Sequence, residues 1–580
     1  MKRCIAWSAT LLLLSSSAAF SQSSDAGSPP AQISPVNSQM LADPDPADWL
    51  MWRRTLNSWG YSPLAEINRS NVKNLRMVWT RGLGEGIQEG TPLVHDGVMY
   101  FPNPSDLIQA LNAKTGELLW EYQRPLPEDF RGGANTDRNL AIYGKSIIDT
   151  SRDDFVYAVN AETGEAEWEK RIVDYRELPA MQSAGPIVAN GKIFSTRACG
   201  TRNPTPDGCV ITAHDAATGE ELWRRRTIPR PGEPGDETWG GIPENRREHV
   251  GAWMVPSFDA ELNLLYVGTS VTSPAPKYKL AGNEYTYLYH NSTLALNADT
   301  GEIVWYYQHL VDHWDLDHPF ERVLVDTQVA PNPDEVEWIN PNITPGEVRK
   351  VLTGIPGKTG IVYTLDRETG EFLWARQTVM QNAVQSIDGA TGKVTDNPDS
   401  LFTADGQTRF ICPSVNGGKG FQAGAYSPLT NALYYGLQNT CANVTTIDNP
   451  RSAYGFNSKG VIAPGTKNAG TLFAISVETG ETLWRFDNRA GMMSSVATGG
   501  GLVFTGDTDG HFRAFDQETG DVLWEINLGS EVSGYPVTFT VDGKQYVAVS
   551  TGNSLVSSAV NQWADLHPTK VSAVYVFSLP

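Results

Sequence analysis

The densest chemistry in this chain stands in VDHWDLDH at 311–318, which holds Asp312, Asp315 and Asp317 with His313 and His318, and His309 lies just upstream. A carboxylate within hydrogen-bond reach of a hydroxyl can take its proton. Neighbouring carboxylates can also divide acid and base roles on a glycosidic bond, or offer oxygen donors to a hard cation. The cysteines point to a compartment. Cys4 falls in an N-terminal leader, which leaves Cys199, Cys209, Cys412 and Cys441. Short separations favour Cys199 with Cys209 and Cys412 with Cys441 among three possible pairings, as suits an exported chain. No Cys-x-x-Cys-His occurs, so covalently attached c-type haem is not expected, and no paired Cys-x-x-Cys suits structural zinc.

Something must hold such residues in place, and the chain repeats one phrase that could. It reads ALNAKTGELLW at 110–120, AVNAETGEAEW at 158–168, AHDAATGEELW at 213–223 and ALNADTGEIVW at 295–305. It returns as TLDRETGEFLW at 364–374, AISVETGETLW at 474–484 and AFDQETGDVLW at 514–524. Each copy reads as a strand, a tight turn at Thr-Gly and a second strand closed by a large aromatic. The fullest unit, 494–527, contains four short strand-like runs, SSVAT, LVFTGDT, HFRAFDQ and DVLWEIN. Four-stranded antiparallel units repeated with an aromatic at a fixed place predict an all-β fold, a β-propeller. A degenerate copy, AYSPLTNALYY at 425–435, and Trp79 in NLRMVWTRGL bring the expected count to eight blades. The terminal SAVYVFSLP is expected to complete a blade with N-terminal sequence.

Of 580 residues, 54 are Gly, 36 Pro and 17 Trp, and 19% are charged, which excludes a disordered chain and a helical bundle. A net charge of -21 argues against nucleic acid or an anionic membrane as partner and favours a basic protein. Lys2 and Arg3, an apolar run from Ile5 to Leu14 and small residues before Ser21 read as a secretory signal peptide, 1–21. The expected organisation is then a linker at 22–47 and one propeller at 48–580, periplasmic and without a membrane span.

The repeat resembles the tryptophan-docking motif of the quinoprotein alcohol dehydrogenases, secreted eight-bladed propellers that hold pyrroloquinoline quinone (PQQ). The resemblance runs from about residue 48 to the C-terminus. VDHWDLDH resembles the family's His-Asp-Glu-Trp-Asp segment, which implies Asp315 as catalytic base. QEGTPLV at 88–94 implies Glu89 at a quinone-contacting position, TDRNLAIYG at 136–144 implies Arg138 on the quinone carboxylates, and MQSAGPIV at 181–188 places Ser183 nearby. GAWMVPSFD at 251–259 implies Trp253 as the floor under the quinone, and PGKTGIVYTLDR at 356–367 implies Lys358 beside its reactive oxygens. The segment from Cys412 to Cys441 resembles another family stretch, including its disulfide, and implies Phe421 in the pocket. The expected activity is oxidation of an alcohol, with electrons passed to a separate acceptor such as cytochrome c. A non-catalytic scaffold of the BamB kind, and a sugar-acting propeller enzyme using paired carboxylates, are the alternatives.

Departures from the family concern the metal and the substrate. Members hold Ca²⁺ or a lanthanide with a Glu, an Asn and the catalytic Asp, whereas STRACGTRNPTPDGC at 195–209 lacks any Glu and Ser273 replaces the Asn. The expected ligands are Asp315, Asp317 and Ser273, with Asp207 and Thr201 as further candidates, for Ca²⁺ or a lanthanide. Gly132 and Gly133 replace a vicinal cysteine pair, and Gly420 replaces an Asn. A more open mouth, suited to bulky or secondary alcohols, is expected.

Overall fold

The structure is a computed structural model that describes residues 32–132, 136–178, 180–199, 206–310, 314–449 and 454–580. The expected signal peptide, Gly133 and Thr201 lie outside these residues. Among the described residues the fold is mostly β, and eight sheets have four or five strands. Among the described residues no helix is long and apolar enough to cross a membrane.

Each copy of the phrase forms the last hairpin of a sheet, in the same register. Its first residue pairs with its closing tryptophan in all seven: Ala110 with Trp120, Ala158 with Trp168, Ala213 with Trp223, Ala295 with Trp305, Thr364 with Trp374, Ala474 with Trp484 and Ala514 with Trp524. The third place, Asn or Asp in six copies and Ser476 in the other, explains the turn. Its side-chain oxygen accepts the N–H groups two and three residues on, as Asn112 does from Lys114 and Thr115 and Asp215 from Ala217 and Thr218.

The tryptophan of one copy closes over the turn of the next. Trp120 Nε1 donates to Ala161 O at 3.0 Å, Trp223 Nε1 to Ala298 O at 2.9 Å and Trp484 Nε1 to Gln517 O at 2.9 Å. The glycine of the turn is fixed by this contact. At Gly164, where φ is +75°, a Cβ would stand 2.6 Å from the Trp120 ring, so the turn needs a residue that is both left-handed and bare. Trp79 sits in the same way on Gly116 and Ala113. The last strand, Ala573–Ser578, pairs antiparallel with Arg76–Gly82 on one side and Lys544–Thr551 on the other, so both of its own edges are covered and Arg76–Gly82 forms the outer edge of the sheet.

Residues 32–47 do not behave as a linker. Val36 bridges Gly144, Asn37 caps the short helix Ser38–Ala42, and Ile33, Val36 and Leu41 are buried. Ile33, Val36 and Leu41, with Met40 packed beside them, give this stretch an apolar face to bury. Both expected disulfides, Cys199–Cys209 and Cys412–Cys441, are present.

Candidate active site

The first strands of the sheets are mostly buried, wholly so in Leu93–His95 and Ser257–Asp259, whereas outer strands such as Leu118–Gln123 alternate between buried and exposed. Loops that enter first strands therefore converge on the interior. Glu89, Arg138, Ser183, Trp253 and Phe421 each lie a few residues before such a strand, and Asp315 and Asp317 precede Val323–Val329. Lys358 comes instead from the connection between Glu347–Gly354 and Ile361–Asp366.

These loops enclose a cavity of about 410 Å³ that Arg138, Ser183, Trp253, Asp315, Asp317, Lys358 and Phe421 all line. Glu89 stands behind Arg138. Its Oε2 accepts from Arg138 Nη2 at 2.6 Å and its Oε1 from the Leu555 N–H at 2.8 Å, while Arg138 Nη1 donates to Ser183 Oγ at 2.8 Å. Burial pushes the Glu89 carboxyl up, against the pull of Arg138. The guanidinium carbon lies 5.1 Å from the centre of the Trp253 ring and 5.8 Å from that of Phe421, and Nε has no protein partner. Arg138 is thus an oriented cation with a donor to spare.

On the other side Lys358 binds both aspartates. Its ammonium is 3.0 Å from Asp315 Oδ1, 3.4 Å from Asp317 Oδ2 and 2.7 Å from Asp315 O, and its own N–H donates to Asp317 O at 2.8 Å. Asp315 holds φ at +74°, a left-handed conformation that Asp tolerates better than most residues and that the Lys358 contacts secure. Burial pushes the Asp315 carboxyl up to about 7, opposed by Lys358 and reinforced by Asp317. Burial acts the same way on Asp317, but Lys358, His249 and the Val271 N–H outweigh it and leave that carboxyl below its ordinary range. Burial works against the charge on Lys358, and the two carboxylates overcome it and raise the ammonium. With a side chain 25% exposed against 7% for Asp317, Asp315 is the more accessible acid.

Two expected ligands are placed elsewhere. Ser273 is buried, its Oγ has no partner, and it does not line the cavity. Asp207 is exposed and pairs with Arg226 at 3.2 Å and Arg230 at 3.5 Å. Among the described residues no three His, Cys, Asp or Glu side chains are gathered to hold a metal. Tyr454, which no motif pointed to, hydrogen-bonds Asp315 through its hydroxyl and meets His249 edge-on at 6.4 Å. Tyr454 belongs to no copy of the repeat, so no local phrase singled it out.

The chain matches the family described as "PQQ: Glucose/ethanol/alcohol dehydrogenase, beta-propeller domain" over 49–397 and 488–547. The dehydrogenase subunit of a quinone alcohol dehydrogenase from Komagataeibacter europaeus is 31% identical over 556 residues, covering 88% of this chain and 72% of that one. Quinoprotein alcohol dehydrogenase PedH from Pseudomonas putida is 31% identical, covering 91% and 89%. Among solved structures, the quinohemoprotein alcohol dehydrogenase ADHIIG from Pseudomonas putida HK5 superposes with a TM-score of 0.82 at 28% identity, over 95% of this chain and 83% of that one. A europium-containing methanol dehydrogenase superposes with a TM-score of 0.83 at 26% identity, over 94% and 100%. Family match, sequence identity and superposition each extend over most of the chain, and the protein belongs to the PQQ-dependent quinoprotein alcohol dehydrogenases.

Proposed function

We propose that this chain is a periplasmic eight-bladed propeller that oxidises an alcohol to an aldehyde or ketone with PQQ and passes the electrons to a separate acceptor such as cytochrome c. The observation that carries this reading is that Asp315, Lys358, Trp253 and Arg138 line one cavity, with Lys358 paired to Asp315 and Arg138 set against the Trp253 ring. When bound, PQQ supplies an electrophilic quinone that accepts the two electrons leaving the alcohol. The donor chemistry fits such a group. Trp253 offers a flat ring to a planar polycycle, Arg138 keeps an unpartnered N–H for a carboxylate, and Lys358 supplies positive charge at the far wall.

Asp315 is the accessible carboxylate and would take the hydroxyl proton, with Tyr454 and Lys358 fixing its orientation. Glu89 holds Arg138 and the Leu555 N–H together, which keeps the carboxylate-binding wall in register with the mouth. Asp315 and Asp317 are hard oxygen donors and would hold Ca²⁺ or a lanthanide, which would polarise a carbonyl oxygen.

Bulky or secondary alcohols are the proposed substrates, since Gly420 lines the cavity without a side chain. The test is apoprotein loaded with PQQ and either Ca²⁺ or La³⁺, assayed by alcohol-dependent dye reduction across a panel of alcohols. Higher kcat/KM for large or secondary alcohols is expected. Methanol and ethanol outperforming every larger alcohol would refute the substrate class, and no turnover with any alcohol and either ion would refute the activity.

A further inference from the structure

Behind the aromatic wall of the cavity lies a second charged cluster that the proposed reaction does not use. Arg53, Glu321, Arg322 and Lys419 are each at most 1% exposed. Lys419 Nζ donates to Glu321 Oε2 at 2.7 Å, and Glu321 Oε1 accepts the Gly424 N–H at 2.9 Å. Arg53 donates to Gly424 O at 2.7 Å and to Ser495 O, and Arg322 donates to His318 O at 2.7 Å, to Phe320 O and to Thr293 Oγ1. Neutral oxygens satisfy these hydrogen bonds without cancelling the charges. Three buried cations therefore share one buried carboxylate. Burial pushes the Lys419 ammonium down to about 8, Arg322 to about 9 and Arg53 to about 10, against the pull of Glu321 in each case. An interior with surplus positive charge gains from an anion placed near it.

The cluster is close enough to act on the cavity. Lys419 Nζ lies 4.4 Å from the centre of the Phe320 ring, and Phe320 stands edge-on 5.4 Å from Trp253. The Arg53 guanidinium carbon lies 6.0 Å from the centre of the Tyr535 ring, and Tyr535 meets Phe421 edge-on at 6.1 Å and donates to its carbonyl oxygen at 2.8 Å. Trp253 and Phe421 line the cavity, so two aromatic layers are all that separate it from the cations on either path. Aromatic side chains neither screen a field as water does nor admit salt.

We infer that Arg53, Arg322 and Lys419, set against the single carboxylate of Glu321, form a buried cationic base that fixes the affinity of the cavity for its polycarboxylate cofactor from behind the aromatic wall. The inference rests on the quinone reading of the site. These residues touch neither cofactor nor substrate and act through the field they project, whereas Arg138 acts by contact.

Opposite charge changes separate this role from a structural one. Full-length apoprotein with Ca²⁺ present is titrated with PQQ, followed by quenching of tryptophan fluorescence, for Lys419→Met, Glu321→Gln and the double variant. Lys419→Met lowers the cluster charge and is expected to weaken binding about tenfold, while Glu321→Gln raises it and is expected to tighten binding by a similar factor. The double variant restores the net charge and is expected to bind close to wild type. Because the charges are buried, the differences should persist as salt is raised. Equal weakening by both single changes, or no change in either, would overturn the inference while wild-type binding leaves the quinone reading intact. Should Lys419→Met fail to fold, Glu321→Gln and the double variant still decide it, since Glu321→Gln must bind more tightly than both wild type and the double variant. A wild-type chain that binds no PQQ would overturn both readings at once.

Discussion

Asp315→Asn keeps the size of the side chain and removes the proton acceptor. In the reconstituted enzyme, kcat is expected to fall by about 10²–10⁴, the range of a lost general base, while spectroscopic titration shows PQQ still bound. A loss explained entirely by lost cofactor would contradict the assignment. Much of this site was legible because each residue sits in a short phrase beside a strand. Glu89 precedes Leu93–His95, Arg138 precedes Ala141–Tyr143, and Trp253 precedes Ser257–Asp259. What the sequence could not announce are contacts made between distant segments, such as Tyr454 on Asp315, Leu555 on Glu89 and Lys419 on Glu321. Ser273 shows the opposite limit, since a matching position did not bring its side chain into the cavity lining.

The docked tryptophan is the unit that holds neighbouring elements together. Trp120→Ala removes an indole from between two sheets together with its bond to Ala161 O, and chemical denaturation is expected to show a loss of about 3–5 kcal/mol. A loss under about 1 kcal/mol would mean that the docking contact is dispensable. The strap around Glu248 offers a test by pH. Its backbone oxygen accepts from the Ser273 N–H at 3.2 Å and from Thr272 Oγ1 at 2.8 Å, its Oε2 is buried without a partner, and burial alone pushes the carboxyl up to about 7. A folded-state pKa raised above the unfolded one gives stability that is complete below the unfolded value and lost as pH rises through about 7. Glu248→Gln is therefore expected to melt above wild type at pH 8, with the gap narrowing toward pH 5, and a gap that widens toward pH 5 would contradict the burial argument. The turn chemistry that shapes these elements was readable from composition alone, because Asn or Asp, then Thr-Gly, can do little else at that spacing. The docking of residues 32–47 was not, since a few scattered apolar side chains leave too weak a pattern.

For the whole molecule the repeat predicted the sheet order well, including the pairing of Ala573–Ser578 with Arg76–Gly82 across almost the full length of the chain. Identical phrases enforce identical registers, and each tryptophan needs the next turn to cover it. Net charge acts at this scale too. With -21 on the chain, reduction of a basic cytochrome c by the turning-over enzyme is expected to slow as ionic strength rises, and a rate indifferent to salt would exclude electrostatic steering toward such an acceptor. The central claim is that the cavity joining Arg138, Trp253, Asp315 and Lys358 oxidises an alcohol with a bound quinone. Stopped-flow mixing of the PQQ-loaded enzyme with a secondary alcohol, without any electron acceptor, measures this directly. Loss of the oxidised quinone's absorbance in a single exponential, saturating with alcohol and yielding one ketone per quinone, is expected. An unchanged spectrum, with PQQ demonstrably bound, across the alcohols and with either metal ion would contradict it.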